Sequence, residues 1–162
     1  MQKKFETNRL LLNTLSLSDT KFIFELVNTP GWLNFIGDRK IKSEEDAAVY
    51  IKKIMTNINV FYWVARLKNG EAPIGIVTLI KRAYLPRHDI GFAFLPLYSK
   101  KGYAYEATKE VLDYITKDYF YKNIFAITVK ENISSIRLLE KLGLKFENGI
   151  VIEKDELLLY KM

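Results

Sequence analysis

The stretch Ile90-Gly-Phe-Ala-Phe-Leu-Pro-Leu-Tyr-Ser-Lys-Lys-Gly-Tyr-Ala104 decides the architecture of this chain. It reads as strand, short basic loop and helix start. Residues His88 to Leu95 have strand character, Pro96 ends the run, and a helical period opens at Gly102. Ala104, Ala107, Thr108, Val111, Leu112 and Ile115 share one face of a helix predicted to run about five turns. A loop that opens a helix presents unpaired N–H groups and the positive end of the helix dipole, which suits a phosphate or diphosphate. Gly102 lets the backbone approach an anion with no Cβ in the way, and Lys100 and Lys101 add attraction. On the loop alone, an ordinary helix start with a solvated lysine pair fits equally well. Neither a Walker A pattern nor a Rossmann glycine triplet is present.

Upstream, Arg9 to Leu15 predicts a strand. Ser18-Asp19 resembles a helix N-cap, with Phe22, Ile23, Leu26 and Val27 at helical spacing and Pro30-Gly31 as a stop. Ser43-Glu-Glu-Asp46 has capping-box character ahead of the stripe Ala47, Tyr50, Ile51, Ile54, Met55 and Ile58. Val60 to Leu67, the Asn69-Gly70 turn, Pro73 to Ile80 and His88 to Leu95 predict an antiparallel meander, because the connections are too short for crossover helices. Downstream, Ile124 to Val129 predicts a strand. Ser134 to Leu142 predicts a helix with Ser135, Leu138, Leu139 and Leu142 inward, capped by Gly143. Leu144 to Phe146 and Leu157 to Tyr160 predict a closing pair of strands. The order β-α-α-β-β-β-α-β-α-β-β describes an α/β (α+β) fold: a central mixed, mostly antiparallel sheet flanked by helices.

Composition narrows the classes. The chain has 162 residues, and residues 1–162 read as one domain with no repeat or linker. Apolar residues at 49% and charged residues at 27% exclude disordered and fibrous classes. No apolar run spans a bilayer, the first residues lack a signal-peptide core, and there is no cysteine, so a cytoplasmic protein without membrane or disulfide is expected. One histidine, no cysteine and no spaced carboxylate cluster exclude a metal centre of ordinary kind. A net charge of +6 is compatible with a solvated surface, an anionic ligand or nucleic acid. The aromatics follow buried periodicities and carry no RNA-recognition pattern, which argues against nucleic acid.

The second informative segment is Asn132-Ile-Ser-Ser-Ile-Arg-Leu-Leu-Glu-Lys-Leu-Gly143, which follows a strand and opens a helix. With Lys101-Gly102-Tyr103-Ala104 and Glu106-Ala107, it resembles the GNAT superfamily of acetyl-CoA-dependent N-acetyltransferases. The branch it resembles contains ribosomal-protein and small-molecule N-acetyltransferases. Thr7-Asn-Arg-Leu-Leu-Leu12 and Phe35-Ile-Gly-Asp-Arg39 are similar to that branch too. The resemblance implies the GNAT acyl-CoA N-acyltransferase fold and acetyl-CoA as co-substrate. It implies that the backbone N–H groups of Lys100, Lys101, Gly102, Tyr103 and Ala104 hold the CoA diphosphate. Freed backbone groups near Phe94 and Leu95 would pair with the pantetheine arm, and the Asn132 side chain would hydrogen-bond it. Arg137 and Lys141 either neutralise adenosine phosphates or are solvated surface; Ser135 is either a contact or a packed hydroxyl. Two positions depart from the family pattern. Ser99 stands where Gln or Arg is usual, and Leu139 stands where many members carry the Tyr that protonates the departing thiolate. Water, Tyr103 or Tyr98 would then supply that proton.

Acetylating an amine requires removing a proton from it, and a carboxylate or imidazole within reach can accept that proton. Asp89, at the start of the strand that feeds the loop, is the leading candidate. Strand alternation puts it on one face with Gly91 and Ala93, whose small side chains leave space beside it. An ion pair with Arg87 or a lysine is the competing role. His88 is the other candidate base, on the opposite parity. Trp32, Phe35, Asp38 and Arg39 from the first two helices, with Lys81 and Arg82, are candidate walls for the acceptor. Asp38 favours a cationic amine while Arg39 and Lys81 favour an acidic one, so the sequence gives no net preference. The function expected is direct acetyl transfer from acetyl-CoA to a primary amine, on a protein N-terminus or a small molecule. The alternative is an acetyl-CoA-binding sensor or scaffold without turnover. A homodimer through the C-terminal strands is left open.

Overall fold

The computed structural model describes residues 4–70, 72–117 and 123–162. A short strand, β1 (Lys4–Glu6), forms a hairpin with β2 (Leu10–Thr14). β1 is absent from the sequence reading because three residues are too few to display a period. A 3-10 turn at Leu17–Asp19 leads into α1 (Thr20–Val27). Asp19 is the N-cap residue of α1, as read, and Ser16 caps the 3-10 turn before it: the Ser16 N–H (2.9 Å) and Ser16 hydroxyl (3.1 Å) both donate to Asp19 Oδ2. Pro30 begins a helix, α2 (Pro30–Phe35), instead of serving only as a stop. Thr29 Oγ1 accepts the Trp32 N–H (3.4 Å), and a proline at the first helical position has no N–H to leave unpaired. In α3 (Glu44–Thr56), Ser43 Oγ accepts the Asp46 N–H (3.2 Å) as the capping pattern predicts, while Asp46 Oδ2 accepts from Lys42 N–H instead of Ser43. Ala47, Ile51 and Ile54 are buried, but Met55, on the outer side of the last turn, is 55% exposed, and Ile58, beyond the helix end at Thr56, is 85% exposed.

The meander is as read: β3 (Val60–Leu67), β4 (Pro73–Ile80) and β5 (Asp89–Phe94) pair antiparallel in turn. Next comes α4 (Tyr103–Lys117), burying Ala107, Thr108, Val111, Leu112 and Ile115; the fifth turn expected of it lies outside the described residues. Then follow β6 (Phe125–Thr128), α5 (Ile133–Lys141), β7 (Lys145–Ile152) and β8 (Asp155–Lys161). The closing hairpin is longer than its sequence reading because β7 is an exposed edge strand with hardly a buried residue, so no alternation marks its extent. The sheet has eight strands in the order β1-β2-β3-β4-β5-β6-β8-β7, antiparallel except between β5 and β6.

The sheet is covered on both faces. On one, Phe5, Leu12, Trp63, Leu79 and Ile90 pack against Val111, Leu112 and Ile115 of α4 and Leu139 of α5. On the other, Val64, Ile76 and Leu95 meet Phe22, Ile23 and Leu26 of α1, Trp32 of α2, and Ile51 of α3. Three helices thus roof the second face, one more than the sequence predicts. Among the described residues, no helix is long and apolar enough to cross a membrane.

Candidate active site

The parallel pair at the centre of the sheet is nearly unmade. β5 and β6 share one rung, Asp89 opposite Phe125, with the Phe125 N–H donating to the His88 carbonyl (3.0 Å). Successive residues of a strand turn their backbone groups to alternate sides. The Leu95 N–H donates to Ile74 O (2.9 Å) and so faces β4; Phe92 and Phe94 therefore turn N–H and C=O toward the gap. On β6, Met162 N–H reaches Ile124 O (2.9 Å), which puts Ile124 and Ala126 on the β8 side and Ile127 on the gap. The cleft is a sheet edge folded into the middle of the molecule. An extended ligand with alternating amides can pair with it as an added strand. The freed groups are those of Phe92 and Phe94: the Leu95 N–H is already bonded, so only half of the sequence-based pair points into the cleft.

The cleft leads to the loop before α4. Lys100 adopts φ 59° and Gly102 φ 81°, both left-handed, a conformation rare for a lysine. The first hydrogen bond of α4 runs from Glu106 N–H to Gly102 O (3.0 Å). Among the described residues, no acceptor takes the amides of Lys100, Lys101, Gly102, Tyr103 or Ala104. Successive free amides with left-handed turns make a concave anion nest at the helix's positive end.

A clamp from the other end of the chain holds this loop. Glu106 Oε1 accepts from the Thr7 hydroxyl (2.6 Å) and Arg9 N–H (2.8 Å), and Glu106 Oε2 accepts from Arg9 Nε (2.6 Å). Arg9 Nη1 donates to Lys101 O (3.0 Å), and the guanidinium lies 4.4 Å from the Tyr103 ring centre. Fixing the Lys101 carbonyl on this side leaves the loop's amides for the other. Burial raises the Glu106 carboxyl, but the Thr7 and Arg9 donors outweigh it and hold it below its ordinary value. The sequence reading missed this clamp. Thr7 and Arg9 carried it only as part of a resemblance, since nothing local ties a β-turn to a helix nearly a hundred residues away.

Asp89 is buried, at 2% exposure, and accepts from Arg82 Nε (2.8 Å). The ion pair weighed from sequence exists, formed with Arg82 and not with Arg87 or a lysine. Burial pushes the carboxyl above its ordinary value despite the opposing pull of Arg82. The space beside it is less open than Gly91 suggested. The register Tyr62–Thr78–Gly91 places the Thr78 hydroxyl where a Gly91 Cβ would stand, 2.7 Å away. His88 is half-buried, and burial together with Lys81 and Arg87 pushes its imidazole below the ordinary value.

Comparison with known proteins gives these features a context. A family model described as the acetyltransferase (GNAT) domain matches residues 9–145. The chain belongs to the GNAT acetyltransferase family. Its members transfer an acetyl group from acetyl-CoA, and this chain is accordingly an N-acetyltransferase. It is 29% identical over 141 residues to the uncharacterized N-acetyltransferase YnaD of Bacillus subtilis, covering 87% of this chain and 82% of that protein. A GNAT-family acetyltransferase structure from Bacillus anthracis superposes with a TM-score of 0.83 at 24% identity, covering 98% and 97% of the two chains. A Vibrio cholerae spermidine N-acetyltransferase, solved with CoA and spermine, gives 0.81 at 21%, covering 96% of each. These structures share the GNAT fold.

The remaining GNAT candidates distribute unevenly. Asn132 caps α5, its Oδ1 accepting the Ser135 N–H (3.1 Å), which leaves Nδ2 as the group to offer a ligand. Ser135 is half-buried. Leu139 lies within the core at 1% exposure. Lys141 sits 4.4 Å from the Tyr105 ring centre and Lys101 5.7 Å from that of Tyr98, while Arg137 is exposed. Of the acceptor candidates, Trp32 is core; Phe35, Asp38 and Arg39 are exposed; Lys81 donates to the Leu85 carbonyl (2.6 Å). The hydroxyls of Tyr50 and Tyr62 lie 3.3 Å apart on the roofed face; in the sequence Tyr50 is only one member of a helix stripe and Tyr62 only one aromatic of a strand.

Proposed function

We propose that this GNAT domain transfers the acetyl group of acetyl-CoA directly to a primary amine, within the ribosomal-protein and small-molecule branch of the family. The observation that carries the reading is the one-rung junction of β5 and β6 opening onto a loop of unpartnered amides. The amides of Lys100 through Ala104 would hold the CoA diphosphate, with the Lys100 and Lys101 charges adding attraction. The freed edges of Phe92 and Phe94 would pair with the pantetheine amides, and Asn132 Nδ2 would donate to the same arm. The Leu95 side chain, buried among Phe22, Val64 and Ile76 on the roofed face, would act as packing only.

Asp89 serves as base in this reading, through water. Its carboxyl is raised by burial, toward the pH at which a base both accepts a proton and remains ionised. The amine gives its proton to Asp89 and its lone pair attacks the thioester carbonyl. The tetrahedral oxygen gathers charge near the backbone N–H at Phe94, at the end of the paired stretch, and collapse releases the thiolate, which takes a proton from solvent or a tyrosine. A second reading, a donor-binding sensor without turnover, is favoured by one observation: the position of the usual acid is Leu139, buried in the core. Released CoA, measured with an amine library after acetyl-CoA binding is established by calorimetry, separates the two. Transfer to any amine supports the enzyme, binding without transfer supports the sensor, and no binding ends both.

A further inference from the structure

The sequence left the acceptor's charge undecided, and the roofed face of the sheet breaks the tie. Tyr62, Thr78 and Gly91 form one register row across β3, β4 and β5; Val60, Ile80 and Asp89 form the next row on the same face. The side chains of Tyr62 and Thr78 therefore share a sheet face with Asp89, one register row away, and Tyr50 OH lies 3.3 Å from Tyr62 OH. Burial raises the Tyr62 phenol and keeps it a neutral donor, and the charges that reach it are those of Arg39 and Arg82. These come from separate segments: Arg39 from the α2–α3 connection, its guanidinium 6.0 Å from the Trp32 ring centre, and Arg82 from the β4–β5 connection. The Trp32 Nε1–H on this wall is buried and has no partner. Opposing charge is held locally. Asp89 is paired with Arg82, while Asp38 keeps its charge but is turned back toward its own turn, its Oδ1 accepting the Lys40 N–H (2.6 Å). Lys81 and Arg87 add positive charge around His88, next in sequence to Asp89.

We propose that the amine acetylated here carries a carboxylate a few atoms from its nitrogen, received by Arg39 with the Tyr50 and Tyr62 hydroxyls, and that polyamines are poor acceptors. A guanidinium and the phenolic hydrogen that the Tyr50–Tyr62 bond leaves over match the acceptor-only character of a carboxylate. A second ammonium would instead meet Arg39, with Lys81 and Arg87 beyond the mutually neutralised Arg82–Asp89 pair, against the exposed carboxylate of Asp38. This inference rests on the transferase reading above, and one matched series tests both. Aliphatic ω-amino acids, their amides and the corresponding diamines present the same primary amine with an anionic, neutral or cationic far end. The expected order in kcat/KM is acid over amide by tenfold or more, with the diamine lowest. Arg39→Gln, at an exposed position, is expected to bring the acid-to-amide ratio close to one. Equal use of acid and amide, preference for the diamine, or a ratio unmoved in R39Q overturns the carboxylate site while leaving the transferase standing. Acetylation of no member while other amines of a library are acetylated overturns the carboxylate site alone, and absence of transfer to any amine overturns both.

Discussion

Replacing Arg9 by alanine tests whether the clamp on the diphosphate loop matters for the donor. Three contacts disappear: the fork on Glu106, the bond from Nη1 to Lys101 O, and the guanidinium over the Tyr103 ring. The Arg9 side chain is 42% exposed, so solvent screens its pair with Glu106 and limits that contact to about 1 kcal/mol at most. The bond to a neutral carbonyl contributes about 1 kcal/mol and an exposed cation–π contact about 0.5 kcal/mol. These contributions overlap, and together they amount to no more than about 2 kcal/mol. The share that keeps the loop's amides aimed outward in the absence of ligand appears as lost affinity. About 1.4 kcal/mol would weaken CoA binding about tenfold. Calorimetry with two ligands isolates the effect. R9A should weaken CoA about tenfold yet change pantetheine, which lacks the diphosphate, by less than about twofold. Arg9→Lys should recover little, because an ammonium cannot bridge Glu106 and Lys101 with a planar fork. Equal losses for both ligands would mean that the clamp supports the fold generally, and an unchanged CoA affinity would remove it from donor binding altogether.

Asp89→Asn should reduce kcat by about 10²-fold with little change in donor affinity, as expected when a base is lost. The acid limb of kcat/KM in the parent protein should fall at a pH above the ordinary aspartate value of 3.8 and vanish in the variant; a near-normal profile in D89N would exclude the assignment. For Glu106, folding lowers the pKa from 4.5, so its stabilisation is present above that value and lost as pH falls through the folded pKa. Thermal unfolding of E106Q should therefore run closer to the parent in acid than at neutrality, and a constant offset would contradict this. Gly75→Ala puts a methyl group inside contact distance of the Phe94 ring. The ring must move, at a cost of about 1–3 kcal/mol, and both the unfolding midpoint and CoA affinity should fall. An unshifted midpoint would show that the ring relocates freely.

What the sequence disclosed and what it withheld divide along physical lines. The meander was legible because β3 and β4 carry long runs of aromatic and β-branched residues, and α4 because its apolar face repeats over several turns. β1 and most of β7 were not: the first is three residues long, and the second faces water along most of its length. Pro30 was read as a full stop although proline also suits a helix's first position, and only the Thr29 cap distinguishes the two. At the site, the loop could be read from Gly102 and its lysines, but the left-handed turn at Lys100 could not, since lysine seldom adopts it. The Asp89 partner was misjudged between neighbours in sequence because Arg82 approaches through the β4–β5 connection and not along the strand. Phe92 was missed for a different reason. Its contribution is its backbone, and every residue except proline has the same N–H.

The seam between β5 and β6 also bears on how this molecule avoids its own kind. Open strand edges invite another chain to stitch onto them, and proteins ordinarily shield such edges with charge or bends. Here the bare edge is recessed between two halves of a sheet whose faces are covered by helices, so a slender thread can enter where a second folded copy cannot. Grip supplied by main chain has no spelling: the letters at positions 92, 94 and 127 answer to the packing beneath them, and the slot is indifferent to which letters satisfy it.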